Sequence, residues 1–282
     1  MNKKRLGFLG PSGTFSEEAA LVYNRQHGSD LQEYSSIAAI VSAVARGDLD
    51  EGLVPLENTL EGGVGATLDH LARQEEIYIC HELNYPVHQC LMAAEKTDLS
   101  RIGQVLSHSH ALGQCAGYLS CNLPGAECLP VESTAAAARS VKTRPGTAAI
   151  APRRAAELFN LSLLAEGIQD NDGNATRFVI LSLRDHPPTG EDKTSLVLSI
   201  PDGPGSLYQV LGYFARREIN LTRIESRPSR RIIGDWLFFI DCEGHRTDPG
   251  REELWEEIRQ AVPFFKLLGS YPVSKSTGAF KG

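Results

Sequence analysis

Apolar and polar positions along the chain fall into two regimes. From residue 5 to about 183, short apolar runs alternate with stretches of helical period. Residues 5–9 read as a buried strand that breaks into Gly10-Pro11-Ser12-Gly13-Thr14-Phe15-Ser16, where Gly and Pro force a turn. Thr14 and Glu17 have capping-box spacing and start a helix over 15–27. Ile37, Ile40, Val41 and Val44 keep a helical spacing over 36–46, closed by Gly47. A brief strand over 51–59 ends in polar groups, and Gly62, Gly63 and Gly65 loosen the entry to a helix over 66–74. Segments 77–83 and 87–93 have no helix between them and read as strands crossing to a different part of the fold. A second alternation follows, with strands at 105–106, 127–129 and 147–151 and helices over 111–121, 135–141 and 153–159. Strands at 163–168 and 176–183 return the chain. Two such series joined by crossing strands predict an α/β unit of two lobes with a cleft between them, as in periplasmic binding proteins.

The pattern changes after the apolar-poor stretch 184–193, whose Pro pair and Gly mark a linker. Beyond it come a strand over 194–200, a helix over 206–217, strands over 221–227 and 235–242, a helix over 252–262 and a strand over 265–271. This βαββαβ order predicts an α+β, ferredoxin-like module with both helices on one face. No nucleophile and base stand together in it, which suits a binding module. The expected division is a two-lobed unit over 1–183 with its second lobe at about 80–165, a linker over 184–193, the module over 194–272 and a disordered tail over 273–282.

Composition narrows the function. A chain of 282 residues is long enough for one or two substantial cores. A formal charge of -7 argues against a nucleic-acid or anionic-membrane surface, which would want clustered Lys and Arg. The N-terminal MNKKRLGFLG is broken by glycines and followed by Pro11, unlike a signal peptide, and no apolar run approaches a membrane span. The 6 cysteines are scattered, with no CxxC pair and no HExxH, which fits buried thiols in a reducing cytoplasm and no metal site.

Candidate chemistry centres on Asn174-Ala175-Thr176-Arg177-Phe178, just after the turn-forming Asp170-Asn171-Asp172. A hydroxyl beside a guanidinium, where a loop enters a buried strand, reads as a substrate site on a rigid element. The plainer reading pairs Arg177 with Asp170 or Asp172 and leaves Thr176 an ordinary strand residue. Asn58 and Thr59 lie at a strand end, where open α/β sheets keep their sites, whereas Glu57 is expected to be paired or solvated. Ser107-His108-Ser109-His110, with Gln114 a turn later, sits between a strand and a helix. Helix-start capping is the first reading and substrate contact the second. Two histidines at i, i+2 make no metal pair without a third ligand. The turn after residue 9 leads into a helix start that can receive an anion, although its spacing is not that of a phosphate loop.

Taken together and in order, Gly10-Pro11-Ser12-Gly13-Thr14-Phe15-Ser16, Val54-Pro55-Leu56-Glu57-Asn58-Thr59, Ser107-His108-Ser109-His110-Ala111-Leu112 with Gln114, and Asn174 to Phe178 resemble the motifs of prephenate dehydratases. The C-terminal module resembles an ACT domain, with Glu225-Ser226-Arg227-Pro228 where that family uses ESRP. The resemblance implies conversion of prephenate to phenylpyruvate with loss of water and carbon dioxide, without metal or organic cofactor. It implies Thr176 as the catalytic residue and Arg177, Asn58, Ser107, Gln114, Thr59 and Phe178 as substrate-binding. It further implies an allosteric L-phenylalanine site with Gly205, Ser206, Leu207, Asn220, Glu225, Ser226 and Arg227, in a homodimer or homotetramer. Two departures stand out: Ser109-His110 replaces the usual Pro-Gln pair, and Ser206 replaces Ala in the module's GALxxVL motif. No long helical pattern precedes Arg5, which argues against a fused chorismate mutase. Arogenate is an alternative substrate, and an amino-acid sensor without chemistry is the rival from another class.

Overall fold

The structure, a computed structural model, describes residues 3–229 and 236–274. The chain first lays down β1 (Arg5–Leu9), α1 (Phe15–His27), β2 (Asp30–Tyr34), α2 (Ile37–Ala45), β3 (Glu51–Asn58), β4 (Gly62–Gly63), α3 (Gly65–Arg73) and β5 (Tyr78–Pro86). It continues through β6 (Cys90–Ala93), β7 (Gln104–Ser107), α4 (Ser109–Gln114), α5 (Ala116–Asn122), β8 (Glu127–Pro130), α6 (Thr134–Val141), β9 (Thr147–Ala151), α7 (Arg153–Phe159) and β10 (Ser162–Glu166). After β11 (Ala175–Ser182) come β12 (Asp192–Ser199), α8 (Ser206–Ala215), β13 (Leu221–Pro228), β14 (Trp236–Glu243), α9 (Arg251–Ala261) and β15 (Phe264–Pro272).

Three sheets result, in the orders β2-β1-β3-β11-β5, β10-β6-β9-β7-β8 and β13-β14-β12-β15. The first two are the expected lobes. Strand β11 returns from the second lobe and inserts antiparallel between β3 and β5, so the chain crosses between lobes twice. Its run Phe178-Val179-Ile180-Leu181 is apolar without alternation because both faces are covered. Phe178 and Ile180 join the core under α1, whereas Val179 and Leu181 join the core under α2 and α3.

The second of those cores also takes Val197, Phe239, Leu268 and Tyr271 from the C-terminal sheet. The βαββαβ module has α8 and α9 on one face, over Leu196, Leu198 and Ile240. Its helix-free face is packed on the first lobe. Contact is closest at Gly269, where a Cβ would stand 2.2 Å from the Ile79 carbonyl oxygen. Nearby, the Lys266 ammonium donates to the Leu71 and Gln74 carbonyls at the C-terminal end of α3.

The pattern reading differs from the structure at three local points. Strand β2 was not anticipated, because Asp30-Leu31-Gln32-Glu33-Tyr34 is a half-exposed edge strand without apolar alternation. The helix expected over 111–121 is two short ones meeting at Cys115. At the start of α1, Thr14 makes no side-chain cap; the carboxylate of Glu17 instead accepts from the Gly13 N–H at 2.5 Å. The tail expected after Pro272 lies outside the described residues from 275 onward.

Candidate active site

The two interlobe crossings run side by side and hold each other. Val87 N–H donates to the Asn174 carbonyl at 2.8 Å and Ile168 N–H to the Gln89 carbonyl at 3.0 Å. A chain of side-chain amides is built on this pair. Asn58, at the end of β3, donates through Nδ2 to Asn174 Oδ1 at 2.9 Å, to the Ala175 carbonyl at 3.1 Å and to Thr176 Oγ1 at 3.0 Å. Its Oδ1 accepts from the Leu60 and Glu61 N–H groups, which fixes the orientation of the amide. Asn174 is 1% exposed and passes the chain to the second lobe, its Nδ2 donating to Gln114 Oε1 at 3.2 Å. Gln89 Nε2 donates to the same oxygen at 3.2 Å.

This arrangement leaves particular hydrogens uncommitted. Thr176 Oγ1 accepts from Asn58, and among the described residues nothing accepts its own O–H. The Nε2 of Gln114 is likewise without an acceptor among them, since only its oxygen is engaged. Asn58 and Thr59 are fully occupied. Thr59 Oγ1 donates to the Gly173 carbonyl and accepts from Ala175 N–H, tying down the loop before β11. Asn174 and Gln89 were not among the expected site residues. For Asn174 the signal was its place at the head of the Asn-Ala-Thr-Arg-Phe motif; Gln89 carries none.

Three expected contacts are corrected. Alternation along β11 sends Arg177 to the face opposite Thr176, where it is 7% exposed. Its Nε donates to Glu82 at 2.8 Å, Nη1 to Asp241 at 2.6 Å and Glu57 at 3.1 Å, and Nη2 to the Tyr271 hydroxyl at 2.8 Å. The guanidinium is therefore spent on internal partners. Those partners are not Asp170 or Asp172: Asp170 accepts the Gly117 and Tyr118 N–H groups at the start of α5, and Asp172 accepts from Gln169. Phe178 is 1% exposed and packs with Phe8, Tyr23 and Leu83 in the first-lobe core. Ser107 is fully buried, its hydroxyl donating to the Ile150 carbonyl at 2.6 Å.

Burial opposes the charge of Arg177, but the oxygens of Tyr271, Asp241 and Glu82 outweigh it and hold the guanidinium protonated well above its ordinary range. Burial likewise pushes the Asp241 carboxyl up, while Arg177, Arg223 and the Ser195 hydroxyl together keep it below the usual carboxylate range. Glu57 is shared with Arg223 at 2.6 Å and Glu82 with Lys193 at 3.0 Å, so the expectation of a paired Glu57 holds. Across the lobes, Arg154 of α7 meets Glu17 at 3.2 Å and its N–H meets Glu18 at 2.9 Å. His110 lies 3.4 Å from Glu61. Thr14 Oγ1, at the start of α1, is buried with no hydrogen-bond partner among the described residues.

Comparison with known proteins agrees with this layout. Residues 6–186 match the prephenate dehydratase family and residues 194–258 the ACT domain. The chain belongs to the prephenate dehydratase family. It is 41% identical to the bifunctional chorismate mutase/prephenate dehydratase of Stutzerimonas stutzeri, over 95% of this chain and 73% of that protein. It is 38% identical to the prephenate dehydratase of Amycolatopsis methanolica, over 95% of this chain and 88% of that one. A crystal structure of prephenate dehydratase from Arthrobacter aurescens in complex with L-Phe superposes with a TM-score of 0.88 at 38% identity, covering 96% of this chain and 90% of that one.

The expected effector residues of the ACT domain split into two groups. Gly205, left-handed at φ 83°, precedes Ser206 and Leu207 at the start of α8, and the Ser206 hydroxyl donates to the Gly203 carbonyl. Asn220 lies beyond the other end of that helix and donates to Glu243 at 2.9 Å. Ten residues of helix separate them by ~15 Å. Strand β13 alternates, so Ser226 is exposed on one face while Glu225 and Arg227 face the first lobe. Glu225 pairs with Arg223 and lies against Gly63; Arg227 lies against Gly65 and 3.9 Å from Asp69. The structure thus corrects these two: their side chains belong to the docking surface between module and lobe.

Proposed function

We propose that the chain is a lyase converting prephenate to phenylpyruvate, and that Thr176 supplies the hydrogen bond that lets the ring hydroxyl leave. In this reaction the bond from the ring to its carboxylate breaks as carbon dioxide departs. Its electron pair moves into the ring, the opposite carbon–oxygen bond breaks, and the departing hydroxide takes a proton to become water. The enzyme has to hold a dianion and stabilise the oxygen on which charge develops.

The observation that carries the assignment is the direction of the amide chain. Asn58, itself oriented by two backbone N–H groups, donates to Thr176 Oγ1 and leaves the threonine proton to be donated elsewhere. A threonine is too weak an acid to surrender that proton freely at neutral pH, so its role is a hydrogen bond that strengthens as charge develops, with the proton supplied from solvent and relayed through a bound water. Gln114, through its unspent Nε2, orients the substrate from the second lobe. With Arg177 turned away, the anionic groups fall to the backbone N–H groups at the start of α1, beside the buried Thr14 hydroxyl. Formation of phenylpyruvate from prephenate, followed by its absorbance, and of phenylalanine from arogenate, assayed side by side, tests the reading. A chain that consumes neither would end it.

L-phenylalanine is proposed to bind where two ACT domains meet, in a homodimer or a dimer of dimers. Gly205, Ser206 and Leu207 lie at the opposite end of α8 from Asn220, so one module cannot close both around a single amino acid. A two-fold partner brings its own Asn220 to that helix start. Tyr208, 80% exposed, and Ile224, 48% exposed, offer apolar surface for such a pairing. Calorimetry with phenylalanine, alongside the mass in solution, tests this. A cytoplasmic setting suits the free cysteines.

A further inference from the structure

Arg177 follows Thr176 directly, so the two Cα atoms are ~3.8 Å apart while their side chains leave opposite faces of β11. The guanidinium spans two units: Glu57 of β3 and Glu82 of β5 on the first lobe, Asp241 of β14 and Tyr271 of β15 on the ACT domain. On the ACT side its partners are themselves locked. Ser195 Oγ donates to Asp241 at 2.5 Å and receives the Tyr271 hydroxyl, also at 2.5 Å. At this same point the register of β11 with β3 slips: Arg177 stands opposite Glu57 and Phe178 opposite Pro55, leaving Leu56 unpaired. A bulge of this kind is where a strand is re-aimed.

We infer that Arg177 is a positioning residue through which the ACT domain sets the place of the Thr176 hydroxyl. The interface already has a glue, the shared apolar core of Val197, Phe239 and Leu268. Apolar contact is non-directional and tolerates sliding. A guanidinium held by four oxygens in fixed directions does not. Any displacement of β14 and β15 over the first lobe is therefore delivered to the backbone beside Thr176 as a change of aim. The bulge opposite gives that backbone room to respond. The inference rests on the role of Thr176 proposed above, and it replaces substrate binding as the reason for an arginine at this position.

The test uses the full-length protein carrying Tyr271→Phe or Ser195→Ala, each of which loosens the grip on Arg177 without burying a new charge. Both are expected to lower kcat by ~3- to 10-fold with KM within ~2-fold. The ratio of free to phenylalanine-inhibited rate should fall by a similar factor, while calorimetric affinity for phenylalanine is retained. Lys266→Met serves as the control, since it removes contacts at the same interface that do not touch Arg177; it should lower the unfolding midpoint and leave kcat alone. Wild-type kcat and inhibition in both Tyr271→Phe and Ser195→Ala would overturn the inference, as would an equal kcat loss in Lys266→Met. If the unaltered chain turns over prephenate but the variants match it, only this inference fails. If the unaltered chain has no turnover, the assignment of Thr176 falls with it.

Discussion

Replacing Thr176 by Val isolates the hydroxyl, because valine keeps the branched shape that suits a strand and deletes only the O–H. Asn58 Nδ2 loses one acceptor but keeps Asn174 Oδ1 at 2.9 Å and the Ala175 carbonyl at 3.1 Å. The amide chain should therefore survive, and the cost to stability should stay within ~1 kcal/mol. The catalytic cost is larger. One oriented donor to a developing oxyanion is worth about 3–4 kcal/mol, or roughly 10²- to 10³-fold in kcat. Since the bond strengthens only as the carbon–oxygen bond breaks, KM should change little. The assay is initial-rate phenylpyruvate formation over a range of prephenate, with Thr176→Ser as the variant that restores the donor. A Thr176→Val enzyme within threefold of wild-type kcat, or one whose only defect is a raised KM, would refute the reasoning.

Arg177→Met should behave as a structural lesion before a binding one: Glu82 keeps Lys193, but leaving buried Asp241 without its ion-pair partner costs about 3–5 kcal/mol, lowering the unfolding midpoint by roughly 10 °C, as circular dichroism would show. A stable variant with only a raised KM would instead restore the substrate-ligand reading. Gly269→Ala should destabilise far more than Gly47→Ala. Both have positive φ, 142° and 75°, yet only at Gly269 does a Cβ meet backbone, the Ile79 carbonyl; equal unfolding midpoints would contradict the close approach of β15 and β5. For His81, burial first and then His186 and His27 lower the pKa to about 4 from 6.5. The unfolded chain takes up this proton as pH falls below about 6.5 while the folded chain resists to about 4, so stability is full above that window and declines through it, by ~1–2 kcal/mol after allowing for partial exposure. In urea titrations, His81→Gln should flatten this part of the pH profile.

Much of the architecture was legible as periodicity. The strand and helix alternation over the two lobes, the return at β11 and the βαββαβ order of the ACT domain are local patterns, set by which positions each element buries. The cluster of Asn58, Gln114 and Thr176 was legible only through motifs in order, because the three lie far apart in sequence and no local rule ties them together. Edge strand β2, with little to bury, left no pattern to read.

What the sequence could not decide is which way a side chain faces once both sides of a strand are covered. Along Thr176-Arg177-Phe178 the residue types suggest a polar site, yet alternation spends them on three surroundings: the amide chain from Asn58, the ACT interface and the core. That outcome depends on a sheet 64 residues further along the chain, which supplies Asp241 to the buried face of β11. The linker pattern over 184–193 announced a second module but not its seat. By itself the sequence determined the elements and the family, and it pointed to the threonine proposed as catalytic. Only the tertiary structure decided that the arginine beside it belongs to the joint between enzyme and regulator, because a buried guanidinium is placed by distant carboxylates and not by its neighbours in the chain.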